Sequence, residues 1–151
     1  MPQLYRICRN VYKPQDPTGA SKTPGRWHTL GNRILYFCSS LALCILEFKA
    51  NSVSFSTIRE EYHYTDIEIN EDNLIIEEVP KSLYTKNWTL NRKKTQDYGN
   101  VWYKSNKTLI LKVRSAVLPT DFNYILNTSH PDFLNMKFSK PLLIPLDSRI
   151  I

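Results

Sequence analysis

The apolar run from Ile34 to Leu46 constrains this chain more than any other stretch, being too short and too interrupted to span a membrane and too hydrophobic for a surface. Ser39 and Ser40 divide it. Before them, Arg33 to Cys38 has the length and content of a short buried strand. After them, a serine caps a helix in which Leu41, Cys44, Ile45 and Phe48 recur at helical spacing and which ends near Asn51. Those four residues face a core on such a helix, while Ser40, Leu43 and Glu47 share the adjoining stripe. Glu47 closes the run at the boundary of core and cleft.

Around this pair, Leu4 to Tyr12 reads as a first strand, and Pro14 to Pro24, with Gly19, Ser21 and Thr23, reads as a loop. Tyr62 to Asn70 and Leu74 to Val79 are further strands, the alternation being clearest over residues 65–69. Lys86 to Asn100 is polar, and Gln96 to Gly99 looks like a turn before a helix or an irregular segment. Leu109 to Val117 is the best strand by β-branched content, stopped by Pro119. Pro131, Pro141 and Pro145 then favour loops from Asn123 to Arg149, with one late strand around Leu142 to Leu146.

A chain of 151 residues, 42% hydrophobic, buries one substantial core and is short for two, which makes residues 1–151 a single domain. Twenty basic residues against 14 carboxylates give a formal charge of +6, which suits an anionic ligand or partner. The basic run Arg92-Lys93-Lys94 reads as a solvated loop rather than a nucleic-acid patch, so direct nucleic-acid binding is not expected. Cys8, Cys38 and Cys44 form no CxxC pair, and their odd number argues against a disulfide framework. With no signal-peptide core in the first residues and no membrane span, a reducing cytoplasm is the expected compartment. Walker, GxGxxG, HExxH and GxSxG motifs are absent, and His28, His63 and His130 lack metal-ligand spacing, so a metal enzyme is not expected.

The ordered elements that remain carry a resemblance. Gly25-Arg26-Trp27-His28, Tyr36, Ser39-Ser40-Leu41-Ala42 and Glu47 are followed by Thr95-Gln96-Asp97-Tyr98-Gly99-Asn100-Val101-Trp102, then Val113-Arg114-Ser115. Asn123 to Asn127, His130 to Phe133 and Asp147 to Arg149 follow in turn. This series resembles the RES-domain family of bacterial toxins, named for a recurring arginine, glutamate and serine. Two positions depart from the family pattern: His28 stands where Asn is usual, and Arg114 where Pro precedes the serine.

The resemblance implies an α+β fold, a single compact mixed domain like an ADP-ribosyltransferase, with central twisted β-sheets flanked by helices. It implies NAD as substrate, cleaved at the nicotinamide–ribose bond by hydrolysis or phosphorolysis so that growth stops, with no metal. Such a bond breaks through an oxocarbenium-like sugar, which a carboxylate stabilises. Glu47 is that carboxylate by resemblance, and Arg26 and Tyr36 complete the catalytic set. Arg26 offers a planar fork to the pyrophosphate, and Tyr36 stacks on nicotinamide or bonds ribose. Arg6 is implied as a second phosphate-binding charge, Ser115 as a hydrogen-bonding partner of ribose or amide, and Trp27, His28 and Asn123 as further substrate contacts. Residue types alone leave Glu47 equally a solvated helix carboxylate, Arg26 a surface ion-pair partner and Tyr36 a core aromatic.

The partner implied is an Xre-type helix-turn-helix antitoxin, with a homodimer among the expected assemblies of a toxin–antitoxin complex. Two alternatives stay open: an ADP-ribosyltransferase acting on a protein, and a basic toxin that binds or cuts RNA.

Overall fold

A computed structural model describes residues 2–51, 55–70 and 76–151. Its strands are β1 (Gln3–Arg9), β2 (Ile34–Cys38), β3 (Tyr62–Glu68), β4 (Ile76–Glu78), β5 (Ile110–Arg114) and β6 (Phe122–Asn127). Its helices are α1 (Thr18–Lys22), α2 (Leu41–Asn51), α3 (Ile58–Glu61) and α4 (Arg92–Ser105). The strands form a six-stranded mixed sheet in the order β3-β1-β2-β6-β5-β4, in which only the β4–β5 pair is parallel. This is an α+β arrangement.

The strands in the middle of the sheet are buried on both faces, which is why β2 reads as a nearly continuous apolar run. Leu35 and Phe37 point to one side, where they pack with Leu4, Ile67, Ile110 and Leu126. Ile34 and Tyr36 point to the other, against Trp27, Trp102, Leu111, Val113 and Ile125. The seam between β1 and β2 is held at one register pair, Tyr5 with Cys38, so the two halves of the sheet are lightly joined there. Helix α2 packs on both strands of this seam. Its cap is Ser40, whose Oγ accepts from Leu43 N–H at 3.1 Å.

Several elements differ from the sequence reading. The first strand stops at Arg9, and the proline-bounded loop contains α1. The third and fourth strands end at Glu68 and Glu78, and residues 74 and 75 of the expected Leu74–Val79 strand lie outside the described residues. The most buried residues of α2 are Leu43 and Cys44, with Leu41, Ile45 and Phe48 half-buried, because the helix turns its Leu43 and Glu47 stripe toward the seam.

Gln96 to Gly99 is no turn but the middle of the 14-residue α4, and Arg92 to Lys94 form its first turn rather than a loop. Leu109 to Val117 contributes Ile110–Arg114 only. The tail supplies an unforeseen strand, β6, near the centre of the sheet. The expected late strand is reduced to an isolated bridge between Leu142 and Tyr64, which covers the outer edge of β3.

Candidate active site

One face of the sheet brings the polar residues together. Across the β2–β6 pair, Tyr36 faces Ile125 and Cys38 faces Asn123; across β5–β6, Val113 faces Asn123. Partners in register share a face, as do residues two apart, so Tyr36, Asn123 and Ser115 emerge on the same side. Helix α2 lies on that side and lowers Glu47 onto them.

Glu47 is held from below. Its Oε1 accepts from Ser115 Oγ at 2.5 Å and from Asn123 Nδ2 at 2.9 Å. Ser115 Oγ also accepts from Val117 N–H at 3.1 Å and Leu118 N–H at 3.0 Å, so its one proton goes to the carboxylate. Among the described residues, Oε2 has only Asn51 Nδ2, at 3.5 Å. The carboxylate is thus oriented through one oxygen and open through the other. Asn123 Oδ1 is buried without a partner among the described residues, and turning the amide over would set that oxygen against the carboxylate.

Tyr36 is equally fixed. His28 Nε2 lies 2.9 Å from Ala20 O and 2.8 Å from Thr23 O, so it carries the ring proton, and Nδ1 accepts from Tyr36 Oη at 2.7 Å. Trp27 N–H donates to the same hydroxyl at 3.4 Å. Burial raises the Tyr36 phenol well above its ordinary range, although Arg92, Arg26 and the Trp27 amide pull the other way. Gly25 is what admits the imidazole, since a Cβ there would stand 2.6 Å from His28 Cε1.

Arg26 donates through Nη1 to Thr89 O at 2.9 Å and lies 5.8 Å from the Trp88 ring centroid. Its pKa is lowered, first by burial and then by Arg92, while Glu47 and Tyr36 raise it. Arg26 is therefore acted on by both Arg92 and Glu47. The Arg26 backbone is gripped by α4. Thr95 Oγ1 donates to Arg26 O at 2.5 Å, and Gln96 Nε2 donates to Gly25 O at 2.8 Å. A Cβ on Gly99 would stand 1.8 Å from Trp27 O.

Of the residues expected here, Arg26, Tyr36, Glu47, Ser115 and Asn123 are brought together. Others are not at the surface of the cleft. Trp27 is 3% exposed and packs on Trp88 and Tyr84, and His28 is 3% exposed with both ring nitrogens engaged. His28 acts through Tyr36 rather than as an open contact, because both its ring nitrogens are used, and Trp27 touches Tyr36 only through its backbone N–H while its ring is buried. Ser115, fully buried, holds Glu47 and has no proton left for a ligand. Strand alternation puts Arg6 on the Leu4 side of β1, away from Tyr5, Ile7 and the α2 contact, with its Nε buried and unpartnered.

Arg92, whose charge acts on Arg26 and Tyr36, was not singled out in the sequence, since a basic run without periodicity resembles a solvated loop. The signal was available: Arg92, Thr95, Gln96 and Gly99 follow helical spacing. Arg114 makes a contact that proline cannot, donating its N–H to Tyr84 Oη at 2.9 Å while its guanidinium lies 4.4 Å from that ring's centroid.

A lightly joined mixed sheet, with a helix that lays an oriented carboxylate beside arginine and tyrosine, defines an α+β domain with one such polar cluster on its α2 face. Residues 3–147 match the RES domain, and the chain belongs to that family. It is 31% identical over 156 residues to a protein named Toxin Res from Yersinia enterocolitica, covering 97% of this chain and 98% of that one. It is also 31% identical over 156 residues to a Sphingobium protein named Prs ADP-ribosylating toxin, covering 98% and 96%. In fold it is similar to a chain of the Mycobacterium tuberculosis MbcT-MbcA toxin–antitoxin complex, with a TM-score of 0.71 at 14% identity, over 95% of this chain and 84% of that one. Among the described residues, no helix is long and apolar enough to cross a membrane.

Proposed function

We propose that this protein is a toxin enzyme that consumes NAD by cleaving the bond between nicotinamide and ribose. One observation carries the reading: Glu47 is anchored through Oε1 by Ser115 and Asn123 while Oε2, among the described residues, has only a 3.5 Å contact with Asn51. An oriented carboxylate of this kind suits the positive charge that develops on the sugar as nicotinamide departs. It also binds ribose hydroxyls. Asn123 Oδ1, an orphaned acceptor beside it, suits a ribose hydroxyl or the nicotinamide amide.

Arg26 is the phosphate partner in this reading, its fork held by Thr89 O, and Arg92 adds a second positive charge whose repulsion with Arg26 an anionic ligand would relieve. Tyr36 offers its ring face to nicotinamide, because its hydroxyl is committed to His28. Arg6, on the other side of β1, has no part in this reading. No metal takes part in these roles. An antitoxin partner is supported by the toxin–antitoxin complex to which the fold is similar. The Xre type of that partner, a homodimer and a cytoplasmic location follow from the family reading.

The name of the Sphingobium relative favours a second reading, in which ADP-ribose passes to a protein. The two are separated by incubating the protein with NAD labelled in the adenosine half, with and without phosphate and with a cell extract. Free ADP-ribose or its phosphate supports degradation. Label on a protein, with nicotinamide release dependent on the extract, supports transfer. Nicotinamide release in none of these mixtures removes both.

A further inference from the structure

Away from the Glu47 cleft, on the β1–β3 half of the sheet, Cys8, His63 and Asn10 form a hydrogen-bonded row. Cys8 and His63 are register partners and share a face. Cys8 Sγ lies 2.9 Å from His63 Nε2, and His63 Nδ1 lies 3.1 Å from Asn10 Oδ1. Asn10 Nδ2 donates to Glu60 O at 2.9 Å, which fixes Oδ1 as the atom facing the ring. An amide oxygen only accepts, so Nδ1 carries the proton and Nε2 turns its lone pair to the thiol. A general base for a thiol needs that tautomer. Arg6, two residues along the same side of β1, has its Nε buried without a partner, and its charge favours the thiolate of Cys8.

We propose that Cys8 is a reactive thiol, activated by His63 and oriented through Asn10, that forms mixed disulfides with small anionic disulfides entering the adjoining cavity. That cavity, of about 690 Å³, is lined by Asn10 and His63 together with Lys13, Arg59, Lys140 and Glu60; Cys8 is not in its wall but is reached through His63, whose Nε2 lies 2.9 Å from Sγ. Its three cations outnumber the one carboxylate and suit the carboxylates of such a ligand. In the exchange, His63 Nε2 takes the Cys8 proton and the thiolate attacks one sulfur of the incoming disulfide. The new S–S bond forms as the old one breaks, and the departing thiolate takes the proton from His63. Cys8 is oxidised and the leaving half is reduced, so no further oxidant is required.

The chain carries its own control. Cys8, Cys38 and Cys44 are 7%, 7% and 5% exposed, so burial does not separate them. Cys44 Sγ donates to Tyr5 O at 3.0 Å, and the Cys38 thiol is pushed up by its hydrogen bond with Cys44 and by burial. Burial also pushes the Cys8 thiol up and the His63 imidazole down, so the resting pair is neutral and reacts by proton transfer.

The test treats the folded chain with glutathione disulfide or with cystamine, a cationic disulfide, and follows adducts at each cysteine by peptide mass spectrometry. Cys8 is expected to react about tenfold or more faster than Cys38 and Cys44. His63→Gln is expected to abolish that lead while leaving the other two rates unchanged, which also reports an intact fold. Cystamine is expected to be slower than glutathione disulfide at Cys8. Equal rates at the three cysteines, or adducts confined to Cys38 and Cys44, would overturn the proposal. A lead that survives His63→Gln removes the role of the base, and cystamine matching glutathione disulfide removes that of the cavity.

Discussion

Ser115 Oγ donates to Glu47 Oε1 at 2.5 Å, joining the end of β5 to the middle of α2 across a sequence separation of 68 residues. The bond converts a surface helix carboxylate into an oriented one. Ser115→Ala removes it and also strands the Val117 and Leu118 N–H groups. The stability loss is expected to be about 1–3 kcal/mol, measured by denaturant titration. Nicotinamide release should fall about 10- to 100-fold in kcat at 25 °C, with KM changing less, since misorientation harms the transition state more than binding.

Tyr36 separates ring from hydroxyl. Because the hydroxyl serves His28 and Trp27, Tyr36→Phe should retain nicotinamide release within about tenfold, whereas Tyr36→Ala, which removes the stacking surface, should lose far more. Equal losses in the two variants would assign the chemistry to the phenol instead.

The raised pKa of Tyr36 sets a sign for alkaline stability. Below the unfolded tyrosine pKa of about 10, both states are protonated and the residue adds no pH dependence. Above it, the unfolded chain loses the proton that the folded chain keeps, so stability falls as pH rises. Urea midpoints between pH 9 and about 11 should decline, and Tyr36→Phe should decline less steeply.

Gly99 tests the grip of α4 on the arginine segment. In an isolated helix, Gly→Ala gains about 1 kcal/mol. Here the added Cβ meets Trp27 O at 1.8 Å, so Gly99→Ala should destabilise the protein by about 3 kcal/mol or more. Gln96→Ala, which removes only the bond to Gly25 O, should cost about 1 kcal/mol and raise KM for NAD.

The order of β1, β2 and α2 was legible because apolar content and helical spacing agree there with burial. β6 was not, and its two asparagines explain why. Asparagine is depleted in strands, yet Asn123 holds Glu47, and Asn127 accepts from Ser129 N–H at 2.9 Å while donating to Asn106. Gly99 misled for a similar reason: glycine in a helix signals a break unless another backbone must come close. For Glu47, residue type gave only a helix carboxylate. Its partners come from β6 and the end of β5, a distance that local patterns do not carry, and the family resemblance supplied the chemistry instead. That resemblance did not distinguish open contacts from supports, so His28 and Ser115 looked like ligand contacts although their side-chain polar atoms are engaged within the protein, and Trp27 although its ring is buried.

The central claim is that the free oxygen of Glu47 acts on the ribose of NAD. The most direct measurement compares kcat for nicotinamide release between the wild type and Glu47→Gln, with folding verified by circular dichroism. Glutamine keeps the shape and removes the charge. A fall of about 100-fold or more, with KM little changed, is the predicted result; release at the wild-type rate by folded Glu47→Gln would contradict it.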